Sequence, residues 1–156
     1  MGGKAVNRRR LGNTDLELTT VGFGTWALGG SGGRYAWGPQ DDADSIAAIH
    51  RAIDLGINWI DTAAVYGFGH SEEVVGRAVK GRRSSVILAT KCGRVRQAGT
   101  DEIGSCLRAA SVRAEIEASL RRLGTDCIDL YQVHWPKPEE EIEEGWAEIA
   151  RAVKAG

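Results

Sequence analysis

An α/β fold of strand–helix units on a parallel sheet is the class the sequence predicts, and three observations carry it. Short apolar runs recur at 20–24, 57–61, 85–91 and 127–134. Segments with apolar residues at helical spacing follow them, near 41–55, 71–80, 111–123 and 139–155, and such alternation implies parallel strands joined by crossover helices. Glycines stand where the first three helices must stop, at Gly56, Gly81 and Gly124. The chain, at 156 residues, suffices for one well-buried domain.

Taken in order, residues 1–9 are polar and Gly-rich and are expected to form a disordered leader, with one domain over 10–156. Arg10-Leu11 and Leu16-Glu17-Leu18 flank the turn-rich Gly12-Asn13-Thr14-Asp15 and predict a small β-hairpin. A first strand over 20–24 leads into a long irregular loop to about Gln40 that contains Gly29-Gly30-Ser31-Gly32-Gly33. The first helix buries Ile46, Ile49 and Ile53 and carries Asp41, Asp42 and Asp44 at its N-terminus, where the helix dipole favours anions. Strand two is 57–61. Ser71 is the expected N-cap of helix two, which turns Val74, Val75, Ala78 and Val79 inward. The third strand, 85–91, is apolar enough to be covered on both faces. Residues 92–110 read as loop. Ser111 is expected to cap a helix carrying Val112, Ile116, Leu120 and Leu123. Strand four spans 127–134, and Pro136 and Pro138 separate it from a helix whose stripe is Ile142, Trp146, Ile149 and Val153. Two architectures satisfy this order: an open doubly wound sheet, or part of a (β/α)8 barrel.

Composition excludes several classes. Twenty basic residues against 21 acidic ones point to neither nucleic acid nor a membrane surface. No apolar leader is visible and no run approaches the ~20 apolar residues a bilayer needs, so a cytoplasmic location is expected. Cys92, Cys106 and Cys127 lack CxxC spacing and read as ordinary reduced thiols, and His50, His70 and His134 form no metal-binding pattern. Gly22-Phe23-Gly24-Thr25-Trp26-Ala27 matches the dinucleotide fingerprint in letters only. That fingerprint must open a helix, and here it runs into Leu28-Gly29-Gly30.

The chemistry lies at strand ends. Asp61 closes strand two with Tyr66 five residues on, Lys91 closes strand three and His134 closes strand four. Singly, these read as a loop cap, a packed aromatic, a surface lysine and a structural histidine. Jointly they fall on the side of the sheet where barrel enzymes build their sites, and they suit proton donation to a carbonyl oxygen. An ammonium about 4 Å from a phenol favours the phenolate by on the order of 4 kcal/mol at an effective dielectric of 20. Lys91 would therefore activate Tyr66 as the acid, Asp61 would hold Lys91 charged and in place, and His134 would orient the substrate oxygen.

Asp61-Thr62-Ala63-x-x-Tyr66-Gly67-x-Gly69-x-Ser71-Glu72, Thr90-Lys91 and Leu123-Gly124-Thr125-Asp126-x-Ile128-Asp129-Leu130-Tyr131-x-x-His134-Trp135-Pro136 resemble the aldo-keto reductases. Gly22-x-Gly24-Thr25-Trp26 and the opening hairpin match as well. The likeness covers the chain from about Arg10 onward and implies a (β/α)8 barrel of TIM type. It also implies NADPH, less often NADH, as hydride source for reducing an aldehyde or ketone. By that resemblance the catalytic residues are Asp61, Tyr66, Lys91 and His134. Gly24, Thr25, Trp26 and Asp61 lie near the nicotinamide ribose, and Trp26, His134 and Trp135 bound the substrate pocket. No metal is implied.

A barrel of this type needs about 250 residues, so hairpin plus four strand–helix units amount to an incomplete barrel, the N-terminal half. The basic residues and stacking aromatic that the family uses for the rest of the cofactor are expected in the other half. Three readings follow. The chain is half of a reductase, inactive as a fragment; or it self-associates through exposed sheet edges; or it is a non-catalytic binding protein on the same fold, as the potassium-channel β subunits resemble reductases.

Overall fold

The computed structural model describes residues 6–31 and 36–156; residues 1–5 of the expected leader and Gly32-Gly33 of the glycine run lie outside them. The hairpin consists of β1 (Arg8–Arg10) and β2 (Glu17–Thr19), paired antiparallel. It begins two residues earlier than the sequence suggests, so Arg8 and Arg9 belong to a strand. Four parallel strands form the main sheet: β3 (Phe23–Gly24), β4 (Trp59–Asp61), β5 (Ile87–Cys92) and β8 (Leu130–Val133), in the order β3-β4-β5-β8. Between β5 and β8 lies a second hairpin, β6 (Arg94–Arg96) with β7 (Ile103–Ser105). This corrects the expected loop at 92–110.

The helices are α1 (Asp42–Asp54), α2 (His70–Val79), α3 (Ala109–Leu123) and α4 (Ile142–Ala155). Each packs against the next, and the main-sheet strands neighbour one another in chain order. A doubly wound sheet would reverse its order and place helices on both faces. The sequential order is that of a barrel wall.

Capping explains two further corrections. Asp41 caps α1, its side chain accepting from Asp44 N at 3.0 Å. Ser71, however, sits inside α2, which starts after Gly69 at φ +104°. Ser111 likewise lies inside α3, whose first N–H, that of Ala109, donates to Glu144 of α4, while Leu107 N just before the helix donates to Glu141 just before α4, both at 2.7 Å. Acidic side chains from the neighbouring helix thus do what a local cap would.

The core lies between sheet and helices. Ile60 and Leu88 pack there with Ile49, Val74, Val75, Ala78, Val79 and Leu123. Leu88, Ala89 and Thr90 are all fully buried, so β5 is covered on both faces as its composition predicts. A second cluster joins Cys92, Leu107, Val112 and Ile149. The stripe expected on α4 is only partly inward: Trp146 is 51% and Val153 75% exposed. Gly145 and Glu148 take that place, Gly145 against the backbone of Leu107 and Glu148 bonded to Arg113 of α3 at 2.7 Å.

At the strands' N-terminal ends the first hairpin ties down the sheet. Asn58 accepts from Thr19 N at 2.8 Å and donates to Glu17 O at 2.7 Å, and Trp59 Nε1 donates to Thr19 O at 2.9 Å. The C-terminal ends remain open.

Candidate active site

Pleat alternation decides what gathers at the open end. Ile60, Leu88, Tyr131 and Val133 face the helices, which turns Asp61, Lys91 and Gln132 to the opposite face. Register aligns them: Asp61 pairs with Ala89, and Lys91 with Gln132. Lys91 Nζ donates to Asp61 Oδ2 at 2.9 Å, to Thr62 O at 2.7 Å and to Tyr66 Oη at 3.4 Å. Gln132 Nε2 donates to the other carboxylate oxygen of Asp61 at 3.3 Å. Gln132 was not apparent in the sequence, although a residue alternating inward on strand four was the signal for it.

Tyr66 is aimed by a tight turn, the 3-10 segment Tyr66–Gly69. Gly67 has φ +59°, and a Cβ there would overlap the Gly29 carbonyl. Only glycine fits both the left-handed backbone and the close approach. Phe68 follows at φ +53°, a strained conformation for an aromatic residue, with the Arg96 guanidinium stacked 4.5 Å from its ring centre.

His134 meets Tyr66 edge to face, ring centres 5.7 Å apart. Burial, then the positive charges of Lys91 and Arg94, push its imidazole down to about 4. It is neutral at pH 7, able to donate from one ring nitrogen and accept at the other. Trp26 stacks on Tyr66 at 6.2 Å between centres. Tyr66, His134, Trp26, Trp135, Val65 and Arg94 line a cavity of about 390 Å³, of ordinary size for a small-molecule site.

A second layer holds these groups. Thr25, Thr62 and Ser71 are fully buried. Ser71 Oγ lies 2.9 Å from Thr25 O, 2.8 Å from Thr25 Oγ1 and 3.1 Å from Thr62 Oγ1, and Thr25 Oγ1 donates to Asp61 O at 3.1 Å. The Ser71 hydroxyl thereby joins the ends of β3 and β4 to α2, which is why it is not the helix cap. Glu72, wholly buried, accepts from Thr90 Oγ1 and from Arg122 Nε, each at 2.6 Å. Gly24 is open: a Cβ built there would meet nothing within 4 Å.

A phenol, a cation in contact with it and a neutral imidazole thus share one rim of a parallel sheet. Residues 20–156 match the Aldo/keto reductase family. The chain belongs to the aldo/keto reductase family. Among curated aldo/keto reductases, YhdN of Bacillus subtilis is 47% identical over 136 residues, 86% of this chain and 39% of that protein. The NADH-specific methylglyoxal reductase of Escherichia coli is 44% identical over 80% of this chain and 40% of its own length. The glycerol dehydrogenase structure from Gluconobacter oxydans superposes with a TM-score of 0.82 at 42% identity, over 97% of this chain and 46% of that one. The chain thus spans about two fifths of the length of these curated relatives and 46% of the G. oxydans structure, and its strand–helix wall corresponds to part of their barrel.

Proposed function

We propose that this chain supplies the proton-donating and carbonyl-positioning side of an NAD(P)H-dependent reduction of aldehydes or ketones to alcohols. The contact that supports it most is Lys91 Nζ between Asp61 Oδ2 and Tyr66 Oη. Tyr66 donates its phenolic proton to the carbonyl oxygen as negative charge develops there. Lys91, beside the phenol oxygen, stabilises the phenolate left behind. Asp61 keeps the ammonium in place, and Gln132 holds the second carboxylate oxygen. His134, uncharged, donates a hydrogen bond to the same carbonyl oxygen and fixes its direction. Trp26 and Trp135 wall the cavity and restrict water.

When bound, the nicotinamide supplies the hydride. Gly24, Trp26 and Asp61 would hold its ribose end, and open space over Gly24 beside a half-exposed Trp26 fits a flat ring. Thr25, wholly buried with both its N–H and its hydroxyl bonded to Asp61 O, would support the cofactor site by holding that strand end in place. The E. coli relative is named for NADH; for this chain the proposal takes NADPH, with NADH as the other option.

Tryptophan quenching on titration with NADPH tests the cofactor part. Saturable binding weakened by Trp26→Ala supports it; saturable binding insensitive to Trp26→Ala places the nicotinamide elsewhere. We also propose self-association, because Trp146 and Val153 lie exposed on one stripe of α4.

A further inference from the structure

Arg94 lines the cavity and differs from the neighbouring cation Lys91 in its partners. Lys91 has the Asp61 carboxylate. The partners of Arg94 among the described residues are neutral: Nη1 donates to Ser105 Oγ at 2.7 Å and Nη2 to Ile103 O at 3.4 Å, both on β7. Its guanidinium lies 4.2 Å from the ring centre of Trp135. One face is therefore clamped on an aromatic ring, one edge is fixed by the hairpin, and the group borders a cavity whose apolar walls include Trp26, Ala36, Val65 and Ile103. A guanidinium carries five N–H donors, so the two bonds to β7 leave donors to spare. Its positive charge is also felt at His134, which it helps to keep neutral.

A half-buried cation among apolar walls is unfavourable unless an anion meets it. A planar guanidinium held from behind is preorganised for carboxylate or phosphate oxygens. We propose that Arg94 is a specificity residue that binds an anionic oxygen group on the carbonyl substrate, a carboxylate or a phosphate, while Tyr66 and His134 of the same cavity hold the carbonyl. This extends the carbonyl-reductase reading by naming the substrate class. The aromatic and apolar walls of the cavity suit a substrate that carries a ring or short hydrocarbon segment.

Binding, not turnover, tests it. The affinities of 4-carboxybenzaldehyde, 4-formylphenyl phosphate and the neutral methyl 4-formylbenzoate are measured by ligand-detected NMR, with benzoate and methyl benzoate as carbonyl-free controls. At least one anionic aldehyde should bind about tenfold more tightly than the ester, as a charge-assisted bidentate bond warrants. Which of the two does so tells carboxylate from phosphate. Arg94→Met, which keeps a side chain against Trp135, should abolish that preference, and Arg94→Lys should keep part of it. Equal binding of ester and anions, or a preference that survives in Arg94→Met, would overturn the assignment. A benzoate preference that depends on Arg94, without any gain from the aldehyde group, would leave the anion site standing and count against the carbonyl reading alone.

Discussion

Glu72 is a carboxylate wholly out of water, with one oxygen bonded to Thr90 and the other to Arg122. Thr90 precedes Lys91 on β5, so this carboxylate fixes the strand that presents the cation. Removing one partner of a buried ion pair typically costs about 3–5 kcal/mol. Glu72→Ala should accordingly lower unfolding stability by about that amount in urea titration, and Glu72→Gln, which can still meet Thr90, by less. Two other residues contribute to the pH response in opposite directions. The unfolded His134 ring takes up a proton near 6.5 and the folded one only near about 4, so stability falls as pH drops through that window. Glu115, which accepts from Gly93 N at 3.0 Å, is pushed by burial from 4.5 up to about 7. The folded state then holds the proton longer than the unfolded one, and stability falls as pH rises between those values. Glu115→Gln should therefore gain in urea midpoint relative to the unaltered chain on going from about pH 5 to about pH 8; a constant difference would contradict the burial assignment.

At the scale of elements, the strands and helices that carry the site were legible because apolar periodicity and terminal glycines agree there. Asp61, Lys91 and His134 could be placed from strand ends alone. Three things were hidden, each for a physical reason. The β6–β7 hairpin is short and has few apolar residues: Arg94-Val95-Arg96 faces Ile103-Gly104-Ser105, with Gly104 bringing no side chain. The caps expected of Ser71 and Ser111 were displaced by tertiary partners, Thr25 in one case and the acids of α4 in the other. Arg94 and Gln132 matter through neighbours distant in sequence, and no local pattern marks such pairs. Helix contact also rests on one unmarked glycine. A Cβ at Gly76 would stand 2.6 Å from Arg122 O and 2.7 Å from Leu123 O. Gly76→Ala should force α2 from α3 and destabilise by about 1–3 kcal/mol, read as a lower thermal midpoint; an unchanged midpoint would show that the helices have room to spare.

Taken as a whole, the chain forms a stretch of barrel wall with the candidate site on one rim. Barrels close so that no strand edge is left unpaired, whereas β3 and β8 are the outer strands of this four-stranded sheet. With Trp146 and Val153 also exposed, sedimentation should reveal concentration-dependent association that Trp146→Glu weakens; a monomer at all concentrations would argue against it. No helix among the described residues is long and apolar enough to cross a membrane. Tyr66 as proton donor is the claim on which the rest depends. Its most direct measurement is NADPH oxidation by a chimera in which this chain replaces the matching part of the B. subtilis relative, with and without Tyr66→Phe. Aldehyde-dependent turnover is expected, and Tyr66→Phe should reduce it by about a hundredfold or more, in keeping with general acid catalysis, without loss of helical circular dichroism. Undiminished turnover in Tyr66→Phe would contradict the proton-donor role.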